Sequence, residues 1–146
     1  MGISGQDGSH LARLLLNKKY EVWGSVRKLK INNKKNFKIL KISKKIKLIE
    51  IHPEKYNQVF YYLNRIRPDE IYFLSGQSSV GVSFIKPSET FNSNIKGILN
   101  LLEVVRISKL KTRIYNSGSS EMYGNLKKAG DEKTAFNPLS PYGLAK

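Results

Sequence analysis

The chain has 146 residues, 40% hydrophobic and 10% aromatic, a composition that excludes a disordered polymer and allows one domain with a buried core. It has no cysteine, which excludes disulfide and thiolate chemistry, and no apolar run approaches the ~20 residues that cross a bilayer. The net charge of +15 raises nucleic acid or anionic lipid as a partner. Much of the excess lies between Arg27 and Lys47, where lysines alternate with Ile, Leu and Asn and no nucleic-acid motif accompanies them. A solvated basic loop is expected there, with neither nucleic acid nor membrane as partner.

In chain order, the glycines Gly2, Gly5 and Gly8 lead into a predicted helix over Gly8–Asn17, carrying Leu11, Leu14, Leu15 and Leu16. Glu21–Val26 and Ile46–Ile51 read as strands, the first from its β-formers and the second from alternation. Tyr56–Ile66 has helical spacing, with Val59, Phe60, Leu63 and Ile66 on one side, and Pro68 ends it. Glu70–Leu74 is a short buried strand. A long helix is expected from Thr90 to Ile107, apolar on more than one face, which implies a second subunit. A last strand spans Arg113–Ser117, followed by a polar loop.

Strands alternating with helices predict an α/β fold, a doubly wound, mainly parallel sheet of the Rossmann-like kind. The phosphate-binding glycine turn of such a sheet follows a central strand, yet only Met1 precedes Gly2. The expectation over 1–146 is a partial dinucleotide-binding domain, truncated at both ends, with that first strand missing and the core split in consequence. Met1 to Gly8 show neither the charged leader nor the apolar stretch of a secretory signal, so a cytoplasmic location is expected.

The glycine spacing, G-x-x-G-x-x-G opening a helix, suits close approach of backbone N–H groups to a pyrophosphate. Gly2, Ile3, Ser4, Gly5, Gln6, Asp7 and Gly8 are therefore the first cofactor-binding candidates. About twenty residues past such a turn stands either a carboxylate for a ribose or a cation for a 2′-phosphate. Arg27, followed by Lys28, is basic, and a guanidinium pairs bidentately with phosphate, which favours NADP over NAD.

Tyr142 and Lys146 form Y-x-x-x-K, one helical turn apart. An ammonium beside a tyrosine hydroxyl stabilises the phenolate and makes Tyr142 a usable acid/base near neutral pH, while Ser119 can hydrogen-bond the reacting oxygen. The catalytic candidates from this pattern are Ser119, Tyr142 and Lys146; no metal site is expected.

Four segments carry a resemblance: Gly2–Leu11, Leu74–Val80, Asn116–Gly124 and Ser140–Lys146. Through them the chain resembles the extended short-chain dehydrogenase/reductase superfamily, its sugar-nucleotide dehydratases, and most closely the GDP-mannose 4,6-dehydratase family. The resemblance implies GDP-mannose as substrate, oxidised at C4 with NADP as cofactor. It implies that Tyr142 takes the hydroxyl proton and Glu121 the C5 proton as water leaves C6. It implies that Leu74, Ser75, Gly76, Gln77 and Ser78 pass beneath the cofactor, which Tyr142 and Lys146 also meet. Full-length relatives continue into a substrate domain and are expected as homo-oligomers, so this chain alone is expected to show little or no catalysis. Two departures are visible: His52-Pro53 stands where Asp-Leu is usual, leaving His52 a structural residue, and Leu139 stands where Arg is frequent. Another sugar-nucleotide dehydratase or epimerase, or a non-catalytic nucleotide-binding remnant, is the alternative.

Overall fold

The computed structural model describes residues 1–29 and 35–146. Its elements follow the order α1 (Gln6–Asn17), β1 (Trp23–Val26), α2 (Lys35–Ile39), β2 (Lys47–Glu50), α3 (Tyr56–Ile66) and β3 (Glu70–Phe73). Next come α4 (Val80–Ile85), α5 (Pro87–Phe91), a π-helical turn (Asn92–Lys96), α6 (Gly97–Ile107), β4 (Arg113–Asn116), a 3₁₀ turn (Ser120–Met122) and α7 (Pro141–Leu144). None of the helices among the described residues is long and apolar enough to cross a membrane.

Strands and helices alternate as expected, and both strand pairs are parallel. They form two separate two-stranded sheets. β1 pairs with β2, from Trp23↔Lys47 to Val26↔Glu50, and β3 pairs with β4, from Glu70↔Arg113 to Phe73↔Asn116. Between the facing edges of β1 and β3 lies the start of the chain. The Leu74 N–H donates to the Met1 carbonyl at 3.1 Å, the Met1 nitrogen donates to the Tyr72 carbonyl, and the Ile3 N–H donates to the Ser25 carbonyl at 3.4 Å. Among the described residues, these bonds bridge the gap.

The interior holds two clusters. The first joins Val59 and Leu63 of α3, Ile71 and Phe73 of β3, and Leu101 and Val104 of α6; it also takes in Ile51, just past β2, with Ile49 of β2 packed on it. The other joins Ile3, Ala12, Val22, Phe37, Ile42 and Ile46. Val59, Leu101 and Val104 are 0% exposed, and each such side chain contributes about 1.5–3 kcal/mol relative to leaving it in water.

Helix ends share one device. Lys19, Lys41, Arg67 and Lys109 each take the left-handed backbone conformation just past a helix. After α1, α2 and α6 two bonds close the end, as in Lys109 to Arg106 and Leu110 to Val105. After α3 there is only the single bond from Arg67 to Leu63, because the following Pro68 has no N–H for the second. A cation at each end also complements the helix dipole.

Three expectations need correcting. The basic stretch is not simply a solvated loop: α2 forms within it, and Phe37, Ile42 and Ile46 are buried because they cap the β1–β2 core. Residues 30–34 of that stretch lie outside the described residues. The long helix starts earlier, at Pro87, and is interrupted by a π turn rather than continuous from Thr90. Helix α4 was not expected at all; Ser79 caps it by accepting the Val82 N–H at 3.3 Å. The other elements match within two residues or so, α3 at both ends.

Candidate active site

The glycine turn is shaped by two close approaches. Gly2 has φ +80°, and a Cβ there would lie 2.9 Å from the Ser75 nitrogen and 3.0 Å from the Leu74 carbonyl. A Cβ on Gly8 would lie 2.4 Å from the Gly2 oxygen. Only glycine lets α1 fold back onto the turn while the turn rests on the end of β3. Gly5 is extended and its carbonyl accepts the Ser9 N–H at 3.0 Å, so the helix starts at Gln6, with Asp7 in its first turn.

In front of this turn opens a cavity of about 830 Å³. Gly2, Ser4 and Gly5 line it from the turn, Arg27 and Lys28 from the end of β1, and Leu74, Ser75, Gly76 and Gln77 from the end of β3. Ile3 and Gly8 instead sit buried behind the turn, and Gln6, Asp7 and Ser78 are outside the lining. Arg27 is exposed and makes no ion pair among the described residues. The β1–β2 register brings a carboxylate near that no local sequence showed: Glu50 accepts the Leu29 N–H at 3.2 Å, which holds the loop carrying Arg27. His52 also lines the cavity, its backbone N–H donating to Gln58 at 2.8 Å and its Nδ1 lying 3.3 Å from Glu54.

The Leu74–Gln77 segment is clamped by residues the sequence did not single out. In the π turn, Ser93 Oγ accepts the Gln77 N–H at 3.2 Å and Asn94 Nδ2 donates to the Gln77 carbonyl at 3.1 Å. Asn94 is buried, and its Oδ1 would lie 1.9 Å from a Cβ on Gly76. The extra residue of a π turn rotates Asn94 inward, against the Gln77 carbonyl. The one available signal was the polar triplet Asn92-Ser93-Asn94 inside an apolar helix.

The other candidates gather beyond the ends of β3 and β4, outside the cavity lining. Lys146 Nζ donates to the Ser117 carbonyl at 2.9 Å and to its hydroxyl at 3.3 Å, and the Ser117 hydroxyl donates to the Phe73 carbonyl at 3.2 Å. The ammonium stands 5.7 Å from the Tyr142 ring centroid, and partial burial pushes its pKa down. Tyr142 is buried on α7, which Ser140 caps by accepting the Gly143 N–H at 2.9 Å. Gly143 in turn packs against the Glu121 carbonyl, where a Cβ would reach 2.4 Å. Glu121 is exposed, and its N–H donates to Ser119 Oγ at 3.2 Å. Backbone contact thus ties the Ser119–Glu121 turn to the Tyr142 helix, and α7 packs on α4 and α5, whose Glu89 lines the cavity.

The sequence matches the family described as GDP-mannose 4,6 dehydratase over residues 1–146. A GDP-mannose 4,6-dehydratase of Yersinia enterocolitica is 39% identical over 99% of this chain, which spans 41% of that protein's length. Among solved structures, a UDP-Glc/GlcNAc 4-epimerase from Campylobacter jejuni shares the fold with a TM-score of 0.88 at 23% identity, over 99% of this chain and 44% of that one. A UDP-glucose 4-epimerase of Thermus thermophilus, solved in complex with NAD, gives 0.85 at 26% identity, over 99% and 45%. With its Rossmann-like parallel strands and a family match along its whole length, the chain belongs to the GDP-mannose 4,6-dehydratase family.

Proposed function

We propose that this chain is the dinucleotide-binding part of an enzyme that converts GDP-mannose to GDP-4-dehydro-6-deoxymannose. The observation that carries the reading is the single cavity wall shared by the glycine turn, Arg27 and the Leu74–Gln77 segment. The residues fit a dinucleotide. Gly2 and Gly5 leave backbone exposed to a pyrophosphate, Arg27 and Lys28 offer charge to a 2′-phosphate, and these cations, in no ion pair among the described residues, favour NADP over NAD. Bound there, NADP supplies a reversible hydride acceptor.

The chain's own residues then handle protons. Tyr142 takes the proton of the C4 hydroxyl, with the Lys146 ammonium stabilising the phenolate and Ser119 hydrogen-bonding the reacting oxygen. A C4 ketone acidifies C5, and Glu121 removes that proton as water leaves C6. The hydride lost from C4 then returns to C6 and the proton to C5, leaving no net change in the cofactor. The exposure of Glu121 suits a base that faces a substrate arriving from outside this segment. Because the chain spans about two fifths of the length of the relatives it matches, the 146-residue polypeptide binds cofactor with little or no turnover. The complete enzyme is a homo-oligomer paired through the second apolar face of α6, where Leu99 and Leu102 are exposed.

Calorimetric titration of the chain with NADP and with NAD tests this. NADP is expected to bind at least about tenfold tighter, since one charge-assisted bond contributes about 1.5–3 kcal/mol. Absence of binding by either dinucleotide would remove the reading. In a full-length relative, replacing the glutamate equivalent to Glu121 by Gln is expected to abolish C5 proton exchange; undiminished exchange would remove Glu121 as the base.

A further inference from the structure

The lysine-rich segment between β1 and β2 carries a fixed cationic face. Phe37, Ile42 and Ile46 are buried in the core beneath it and pin the segment at three points. Backbone bonds close the turns between them: the Leu40 N–H donates to the Asn36 carbonyl at 2.9 Å, Ile42 to Phe37 at 3.0 Å, and Lys45 to Ile42 at 2.9 Å. At about 100° per residue, Lys35, Lys38 and Ile39 fall within one arc of α2 and Phe37 lies opposite. Lys41, Lys44 and Lys45 follow, exposed between the buried isoleucines. No Asp or Glu occurs between Val22 and Ile49, and the flanking Glu21 pairs with Lys47. Lys35, Lys38, Lys41, Lys44 and Lys45 are in no ion pair among the described residues. Ile39, in their midst, is 66% exposed. None of these six residues lines the polar cleft.

We propose that this face docks on an anionic bilayer surface, its lysines meeting lipid phosphates and Ile39 entering the boundary between headgroups and acyl chains. Composition alone speaks for water around these lysines. The fold changes that, because burying Phe37, Ile42 and Ile46 leaves one aliphatic side chain standing out of a preformed cationic surface. An anionic membrane accepts both features at once, ammonium groups at headgroup level and an apolar side chain just beneath. A nucleic-acid duplex would engage the charge and leave Ile39 in water. Single strands would want a ring on which to stack bases, yet the only aromatic residue between Arg27 and Lys47 is the buried Phe37. The contact lies on the bilayer and does not span it, since no helix among the described residues is long and apolar enough to cross.

Flotation of the chain with vesicles of phosphatidylcholine and phosphatidylglycerol, against vesicles of phosphatidylcholine alone, tests the charge. Binding is expected to the anionic vesicles only, falling steeply as salt rises. Lys38→Glu combined with Lys44→Glu is expected to weaken it about 25-fold or more, about fivefold for each lysine. Ile39→Ser is expected to weaken it about tenfold. The chain has no cysteine, so Ile39→Cys takes a single environment-sensitive dye, whose emission should shift to shorter wavelength on the anionic vesicles. The substituted side chains are all exposed, and circular dichroism checks that each variant keeps the parent fold. Equal affinity for both vesicle types, no binding to either, no loss on charge reversal, or an unshifted dye would overturn the proposal. Tighter binding to a short DNA duplex, indifferent to Ile39→Ser, would overturn it in favour of nucleic acid. NADP titration of the same variants is expected to match the parent chain, so this surface and the cofactor assignment stand or fall separately.

Discussion

The β3–β4 half of the molecule is closed by α3 and α6, whose Val59, Leu101 and Val104 are wholly buried, whereas the β1–β2 half rests on α1 and the five-residue α2. Both halves have parallel pairs of equal length, so the strands do not distinguish them; what covers them does. Two eleven-residue helices packed on each other remove a continuous apolar surface from water. The other half instead relies on Phe37 as its principal plug. The cleft proposed for the cofactor lies where the two halves meet, with Arg27 from one and Leu74–Gln77 from the other. A ligand spanning the cleft therefore also couples the halves.

The largest effect that could break this comparison comes from the two cores. Phe37→Ala is expected to cost about 3–5 kcal/mol and Leu101→Ala about 2–5 kcal/mol. Trp23 lies in β1, so its fluorescence reports the first half, while far-UV circular dichroism is weighted toward α3 and α6. In urea, Phe37→Ala should lower the fluorescence midpoint more than the dichroism midpoint, and Leu101→Ala the reverse. Coincident shifts in both variants would mean one cooperative unit and end the distinction.

Next in size is the buried Met1 nitrogen at the seam. Its folded pKa of about 5 lies below the ordinary 8.0, so between those values the unfolded chain binds a proton that the folded chain does not. Stability is then full above pH 8, falls as pH drops toward 5, and loses up to about 4 kcal/mol across the window. Urea unfolding at pH 8 and pH 5 measures it. A chain acetylated at Met1 should lose this part of the slope.

Arg27→Ala sharpens the comparison at the cleft. It should weaken NADP binding by about 10- to 100-fold, equivalent to about 1.5–3 kcal/mol, and leave NAD binding nearly unchanged; calorimetry on both ligands decides it. The smallest effect is a gain. Lys109, at φ +48° past α6, pays the left-handed penalty, and Lys109→Gly should add about 1 kcal/mol in thermal or urea unfolding. Its benefit should appear in the β3–β4 half.

The order of strands and helices, the glycine turn and the Tyr142–Lys146 spacing were legible because each depends on residues close in sequence. Period in α3, the Gly2–Gly5–Gly8 triplet and the four-residue step from Tyr142 on α7 to Lys146 just past its end are local quantities. Helix α2 escaped because its lysines outnumber its one buried aromatic, Phe37, and only the tertiary core makes that residue decisive. Helix α4 escaped because Val80–Ile85 is short enough to read equally as strand.

At the site, the sequence named the chemical types and the chain fold chose their neighbours. Asn94 came to hold the Gln77 carbonyl only when a π turn rotated it inward, and Glu50 reached the Arg27 loop only through parallel register with β1. The contact of Gly143 with the Glu121 carbonyl joins residues from separate loops. Sequence determines what depends on a few consecutive dihedrals; which surfaces stay open, such as the gap beside Met1, is decided by pairing across the sheet, where every bond joins residues far apart along the chain.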